Sequence, residues 1–243
     1  MNGKFARRSE IEVAGARVEV GNPGGEVAVE QVYLDYRASG DLTLRTGLIL
    51  APVGSLNEMH EPTTYNGVAR PAFDTDLLPT TWREIGLGAL GSVPGVQGLS
   101  YRAYLLNGLR SEGFSAAQGI REGRQEGQDA SFANPSLTGR LEWAGPGLRL
   151  GGSFWYGGSA NQVAAVGTGT FDAAVAVLAA DARYENGPFS FRGEAARVSI
   201  GGAYRINPVC NQGVGSRTDG VCVDGRGDTR QLHPPASPSR ARP

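Results

Sequence analysis

Glu58, His60 and Glu61 bring two carboxylates and an imidazole close together, the densest set of potential metal ligands in the chain. A zinc centre needs three or four ligands, mostly histidine or cysteine. His60 is the one histidine ahead of the C-terminal tail, so no metal site is assigned. The segment GLGALG (86–91) matches a dinucleotide fingerprint, but that fingerprint needs a helix to begin within its glycines. Here the next residues are Ser-Val-Pro-Gly, which is turn chemistry, and the glycines alternate with Ile85, Leu87 and Ala89 as in a strand. No G-x-S-x-G or H-E-x-x-H occurs, and a Ser–His pair could draw only on His60. The expectation is a protein that is not an enzyme and holds no cofactor. Cys210 and Cys222 bracket a small loop and read either as a disulfide or as two unrelated thiols. Arg226-Gly227-Asp228 is a chance-level tripeptide and receives no weight.

The remaining ionisable residues follow a different rule, that of the strand. Leu42, Leu44, Leu48 and Leu50 share one parity, with Arg45 on the other. Val32, Leu34 and Tyr36 oppose Asp35, and Tyr101, Ala103 and Leu105 oppose Arg102. Leu141 and Trp143 stand against Arg140 and Glu142, and Leu148, Leu150, Phe154 and Tyr156 against Arg149. Leu178, Ala180 and Tyr184 oppose Asp181 and Arg183, while Phe189 and Phe191 oppose Arg192 and Glu194. Glu84 takes the polar parity of the glycine-rich strand. No 3.6-residue period is sustained, although FSAAQGIREG (114–123) could form one short helix.

Composition agrees with an all-β chain: 37 glycines among 243 residues, 40% hydrophobic and 19% charged. A net charge of −1 gives no field for nucleic acid, and no apolar run is long enough for a transmembrane helix. Short Gly/Pro-rich turns at 38–41, 144–147 and 185–188 alternate with long connections at 53–82, 108–134 and 157–171. A soluble sandwich also alternates, but here charges recur in the middle of strand after strand. Tyr36, Trp143, Tyr156, Tyr184 and Phe189 lie near strand ends on the apolar parity. Short turns alternating with long loops and aromatic girdles describe an outer-membrane barrel, apolar outside and wet within. The fold expected is therefore all-β: an antiparallel transmembrane β-barrel, or an incomplete portion of one.

EVAVEQVYLDYR (26–37), LTLRTGLILAPVG (42–54), LNEMHEPTTYNGVARP (56–71), LLPTTWREIGLG (77–88) and LSYRAYLLNGL (99–109) carry a specific likeness. They resemble bacterial outer-membrane porins of the phosphate-selective O and P type, most tellingly in W-R-E-x-G (82–86). The resemblance covers most of 26–206 and implies a trimeric barrel in the outer membrane, some members being anion-selective through basic residues in the pore. A homotrimer, contact with outer-membrane lipid, and passage of small hydrophilic solutes or anions are what it implies for partners. The chain shows no leader at MNGKFARRSE and no terminal aromatic strand, so a fragment, a smaller closed barrel or a chain that cannot insert is expected, with 1–206 as barrel and 207–243 as irregular tail.

The function expected is passive diffusion of small hydrophilic solutes, with a mild anion preference. The alternative is a soluble or surface all-β binding module without transport. The pore-lining set is Arg45, Arg102, Arg140, Arg149, Arg183 and Arg192 with Asp35, Glu84, Glu142, Asp181 and Glu194. These same charges would also serve as cross-strand ion pairs stiffening the wall. Asn57, Glu58, His60, Glu61, Tyr65, Arg70 and Asp74 are candidates for a loop folded inward to constrict the lumen. Trp82 is expected as an interface anchor, and the mixed-charge segment 121–129 as a solvated loop.

Overall fold

A computed structural model of the chain describes residues 11–14, 18–20, 27–59, 71–127, 130–160, 173–210 and 213–227. Twelve strands form: β1 (Ile11–Ala14), β2 (Val18–Val20), β3 (Val27–Val29), β4 (Val32–Arg37), β5 (Thr43–Leu50), β6 (Arg83–Ser92), β7 (Leu99–Leu106), β8 (Ser136–Gly145), β9 (Leu148–Gly157), β10 (Val175–Asn186), β11 (Phe189–Ile200) and β12 (Arg217–Gly227). Among the described residues one α-helix, α1 (Ala203–Cys210), sits between β11 and β12. Ten strands make a single antiparallel sheet in the order β1-β4-β5-β6-β7-β8-β9-β10-β11-β12, and β2 and β3 make a small ribbon of their own. From β4 onward each strand pairs with its neighbours in sequence, and β1 and β12 are the sheet's two edges.

The alternation read from the sequence is realised as two contrasting faces. On one face stand Leu34, Leu44, Leu87, Leu141, Leu150, Leu178, Phe191 and Val223, all exposed, Leu178 at 59% and Val223 at 78%. On the other, Glu84, Arg140, Ser153, Trp155, Arg192 and Glu194 are buried. The connections sort by end. Short links 38–42, 93–98, 146–147 and 187–188 lie at one end of the sheet, and 51–82, 107–135, 158–174 and 201–216 at the other. The described parts of the first two long segments, 51–59 with 71–82 and 107–127, pack on the polar-parity face.

That packing divides the inner face in two. Towards the long-loop end Ile49, Leu106, Val175, Val177, Val198 and Ile200 join Val53, Leu78, Leu109, Phe114, Ile120 and Ile206 in one buried apolar cluster. Towards the short-turn end lie Asp35, Arg45, Arg102, Arg140, Asp181 and Arg192. Part of the inner face, expected from the alternation to line a wet lumen, is thus instead a dry core at the long-loop end. Burial of these side chains contributes about 1.5–3 kcal/mol each. The polar parity carries apolar residues near the long-loop ends of the strands, which is why the core forms there.

Trp82 belongs to this core rather than to an outer girdle. It is 1% exposed and stacks on Trp155 with ring centroids 4.2 Å apart. Segment 114–123 forms no helix; it is an irregular stretch ending in a 3₁₀ turn at Arg121–Gly123, with another just before it at Ser111–Gly113. Its glycines favour turns, and Gly119 adopts φ 57°. Strand β12 lies inside the tail expected to be irregular, and it extends the sheet through register pairs such as Glu194↔Cys222. Cys222 is a free thiol.

GLGALG is the middle of β6, and its glycines have a packing reason. Gly86 and Gly88 lie on the inner face beside β7. A Cβ at Gly88 would meet Tyr104 Cδ1 at 2.6 Å, and one at Gly86 would meet Leu106 Cδ2 at 2.6 Å. The glycines let the two large side chains of β7 lie flat across β6. Gly88→Val is expected to destabilise the fold by about 1–3 kcal/mol through overpacking, read as a lower unfolding midpoint; an unchanged midpoint contradicts this packing.

Candidate functional site: an inward strap held by buried ion pairs

Segment 51–59 crosses the inner face as a strap. Its base is closed by Asn57, whose Nδ2 donates to Ala51 O at 2.7 Å and to Trp82 O at 2.9 Å, while Trp82 N donates to Asn57 Oδ1 at 2.8 Å. One asparagine thus satisfies three backbone groups where the strap leaves β5 and rejoins β6. Asn57, Glu58 and Asp74 lie against the inner face of the sheet. His60, Glu61, Tyr65 and Arg70 lie outside the described residues.

Four wall strands grip the strap. From β9, Ser153 Oγ accepts from Gly54 N at 3.0 Å; from β8, Arg140 Nη1 donates to Gly54 O at 3.1 Å. From β11, Glu194 accepts from Ser55 N at 3.0 Å and Ser55 Oγ at 2.6 Å. From β7, Arg102 pairs with Glu58 at 3.2 Å. Arg192 then ties both limbs of the long loop together, donating to Asp74 at 2.6 Å, to Glu194 at 2.8 Å and to Ser55 Oγ at 2.9 Å. Asp74 sits at the start of a π-helical turn, Phe73–Leu77, which reaches β12 and packs Leu77 and Phe73 against Gly220.

Below the strap the charges pair across strands. Arg140 bridges Asp181 at 2.6 Å and Glu142 at 3.0 Å. Arg45 holds Asp35 through two bonds of 2.8 Å and lies 3.6 Å over the Tyr33 ring. A fork on a carboxylate is the strongest of these geometries, and the ring adds a cation–π contact. Arg149, Arg183 and Arg192 stand side by side on β9, β10 and β11. Arg183 is only partly covered and pairs with Glu185, and Arg149 is exposed. A cavity of about 30 Å³, the space of roughly one water, is enclosed where Arg140, Arg183 and Arg192 meet Ser55 and Asp181.

One member of the expected lining is placed differently. Glu84 is fully buried at the long-loop end, accepting from Asn107 Nδ2 at 2.6 Å, Gln125 N at 3.0 Å and Trp82 Nε1 at 3.2 Å. Covering loops take it out of any open lumen. Its partners Asn107 and Gln125 carried no signal in sequence, because both lie in irregular segments where periodicity is silent. Segment 121–127 is also no solvated loop. Arg121 donates to Thr75 O at 2.8 Å, Arg124 to Thr80 O at 3.1 Å, and Glu126 bridges Arg83 and Arg124. Burial lowers the Arg124 guanidinium's pKa from its usual value, against the pull of Glu126.

No protein-family model and no solved structure matches the chain. An uncharacterized protein of Aquifex aeolicus (strain VF5) is 42% identical over 164 residues, covering 66% of this chain and 36% of that protein. The chain therefore spans little more than a third of the length of the curated relative it matches.

Removing one partner from a buried ionic cluster costs more than removing the cluster. Arg192→Met should cost about 3–5 kcal/mol, because Asp74 and Glu194 lose their cation. The triple variant Asp74→Asn, Arg192→Met, Glu194→Gln should regain much of that loss; equal stability of single and triple variants in denaturant would show that the cluster is not coupled. The strap also has a pH signature. Burial raises the Glu58 carboxyl's pKa, more than Arg102 lowers it. A raised carboxyl contributes its full stability below the unfolded value and loses it as pH rises through the folded one. Proteolysis of the strap is therefore expected to quicken as pH rises above the ordinary carboxylate range, and Glu58→Gln to flatten that dependence.

Proposed function

We propose that this chain forms the wall and constriction of an outer-membrane porin that passes small hydrophilic solutes or ions by diffusion. The observation that carries this reading is the inversion of the two faces. Leu44, Leu150 and Phe191 are exposed, whereas Arg45 and Arg192 are covered on the inner side. A soluble sheet wrapped around a core would expose the guanidiniums and bury the leucines, so the binding-module alternative is disfavoured. Alternation of short and long connections by end supports the same reading, as do Tyr36, Trp143, Tyr184 and Phe189 exposed near the short-turn end. Closure of the wall requires that the edges of β1 and β12 be paired, since bare backbone in lipid costs several kcal/mol per group. The resemblance to the phosphate-selective porins of the O and P type is consistent with this arrangement, and the homotrimer it implies belongs to the same proposal.

In this reading the strap narrows the lumen, and charges of both signs below it hold water in the passage. Arg149 and Arg183, the least neutralised of them, supply the mild anion preference. The test is conductance. The chain should fractionate with outer membrane, need detergent, and give unit conductance steps in a planar bilayer. The triple variant that removes the Asp74–Arg192–Glu194 anchor should raise the unit conductance. A monodisperse, detergent-free protein with no conductance would overturn the proposal.

A further inference from the structure

The outward face is not uniformly convex. A hollow of about 1100 Å³ opens on it across β7 to β12. Its floor is a row of small residues on three neighbouring strands, Gly152, Ala180 and Ala195. Leu141 and Val221 continue that row on either side. One step nearer the long-loop end the next row holds Phe154, Leu178, Arg197 and Asp219. The hollow thus has an apolar floor and walls, and a charged corner at one end only.

That corner has a composition of its own. Arg197 Nε donates to Asp219 at 2.6 Å, and Arg217 Nε donates to the same carboxylate at 3.0 Å. Two guanidiniums share one carboxylate, so the group carries one net positive charge. All three side chains are about half exposed. Each guanidinium has five N–H donors, and one carboxylate takes few of them. Arg197 lies three residues before the long-loop end of β11, and Arg217 is the first residue of β12. The positive charge therefore sits at the rim from which the long loops emerge, and the apolar hollow runs away from it along the wall.

We propose that this hollow seats a phosphorylated, acylated lipid of the leaflet on the long-loop side, with acyl chain on the Gly152–Ala180–Ala195 floor and phosphate on Arg197 and Arg217. The inference rests on the membrane-wall reading above. An acyl chain suits an open apolar hollow without any polar atom to satisfy, and a phosphate suits paired guanidiniums through charge-assisted hydrogen bonds. Distance along the strands separates these two chemistries, and a lipid carries both in that order, headgroup outermost.

The experiment uses the full chain in detergent, with native mass spectrometry and thermal shift as readouts. The probes are bisphosphorylated lipid A, the same lipid with its phosphates removed, and inorganic phosphate. Wild type should retain bisphosphorylated lipid A and gain thermal stability from it. Arg197→Gln with Arg217→Gln should weaken retention by about tenfold, as should removal of the lipid phosphates. Ala180→Phe, which fills the hollow on a face that tolerates apolar bulk, should weaken retention while leaving the arginines in place. Equal retention of the dephosphorylated lipid, unchanged retention by the double arginine variant, or displacement by inorganic phosphate alone would overturn the proposal. A sample that conducts in planar bilayers yet retains no lipid A sinks this inference while leaving the porin reading intact. A sample that neither needs detergent nor conducts sinks the porin reading, and this inference with it.

Discussion

A guanidinium inside a protein must be met by anions and acceptors, because water no longer meets it. Arg140 and Arg192 are placed under that constraint, at 5% and 6% exposure, and the arrangement around them follows from it. Beyond Glu194 on its own strand, Arg192 finds its acceptors because the strap brings Ser55 and the returning limb brings Asp74. Arg140 is satisfied only if Gly54 presents its carbonyl and β10 presents Asp181. The loop is therefore fixed by the wall's charges as much as by its own sequence. The apolar cluster above the strap then closes over the same anchors, with Trp82 linking the loop's exit to Trp155 on β9.

Those anchors also explain how one inner face accommodates two environments. Ser55, Gly54 and Asn57 stand at the boundary: oily residues lie on their long-loop side and charged ones on the other. A strap without Ser55 would take one acceptor from Arg192, and a highly charged one would disrupt the packing of Val53, Leu56 and Leu78. The sequence between Ala51 and Glu58 alternates between these demands, with Val53 and Leu56 buried and Ser55 and Asn57 hydrogen-bonded.

Strands were legible because a period of two is a strong signal and a strand offers only two faces. The orientation of Leu44 against Arg45, or Phe191 against Arg192, could be read without coordinates. Asn57, Glu58 and Asp74 stood out as polar residues in a loop too long for a simple turn, but their partners on the sheet could not be read from the sequence. The dry part of the inner face was not legible. It depends on which loop residues meet Val175, Val177 and Val198, and local sequence carries no information on contacts between distant segments. Trp82 was misplaced for the same reason: an aromatic at a strand end looks identical whether it faces lipid or a second tryptophan. Strand β12 was hidden by its glycines and aspartates, which weaken strand propensity, yet pairing to β11 overrides that preference.

Because every pair from β4 to β12 joins chain neighbours, the sheet can grow one hairpin after another, with little entropy lost in closing each loop. The strap obeys another schedule. Asn57 is tied to nearby Ala51 and Trp82, but Ser55 and Glu194 are 139 residues apart, so the anchor on β11 requires nearly the whole sheet. Docking of that segment is thus a late event in the chain's assembly, and until it occurs the curved sheet presents an unobstructed inner face.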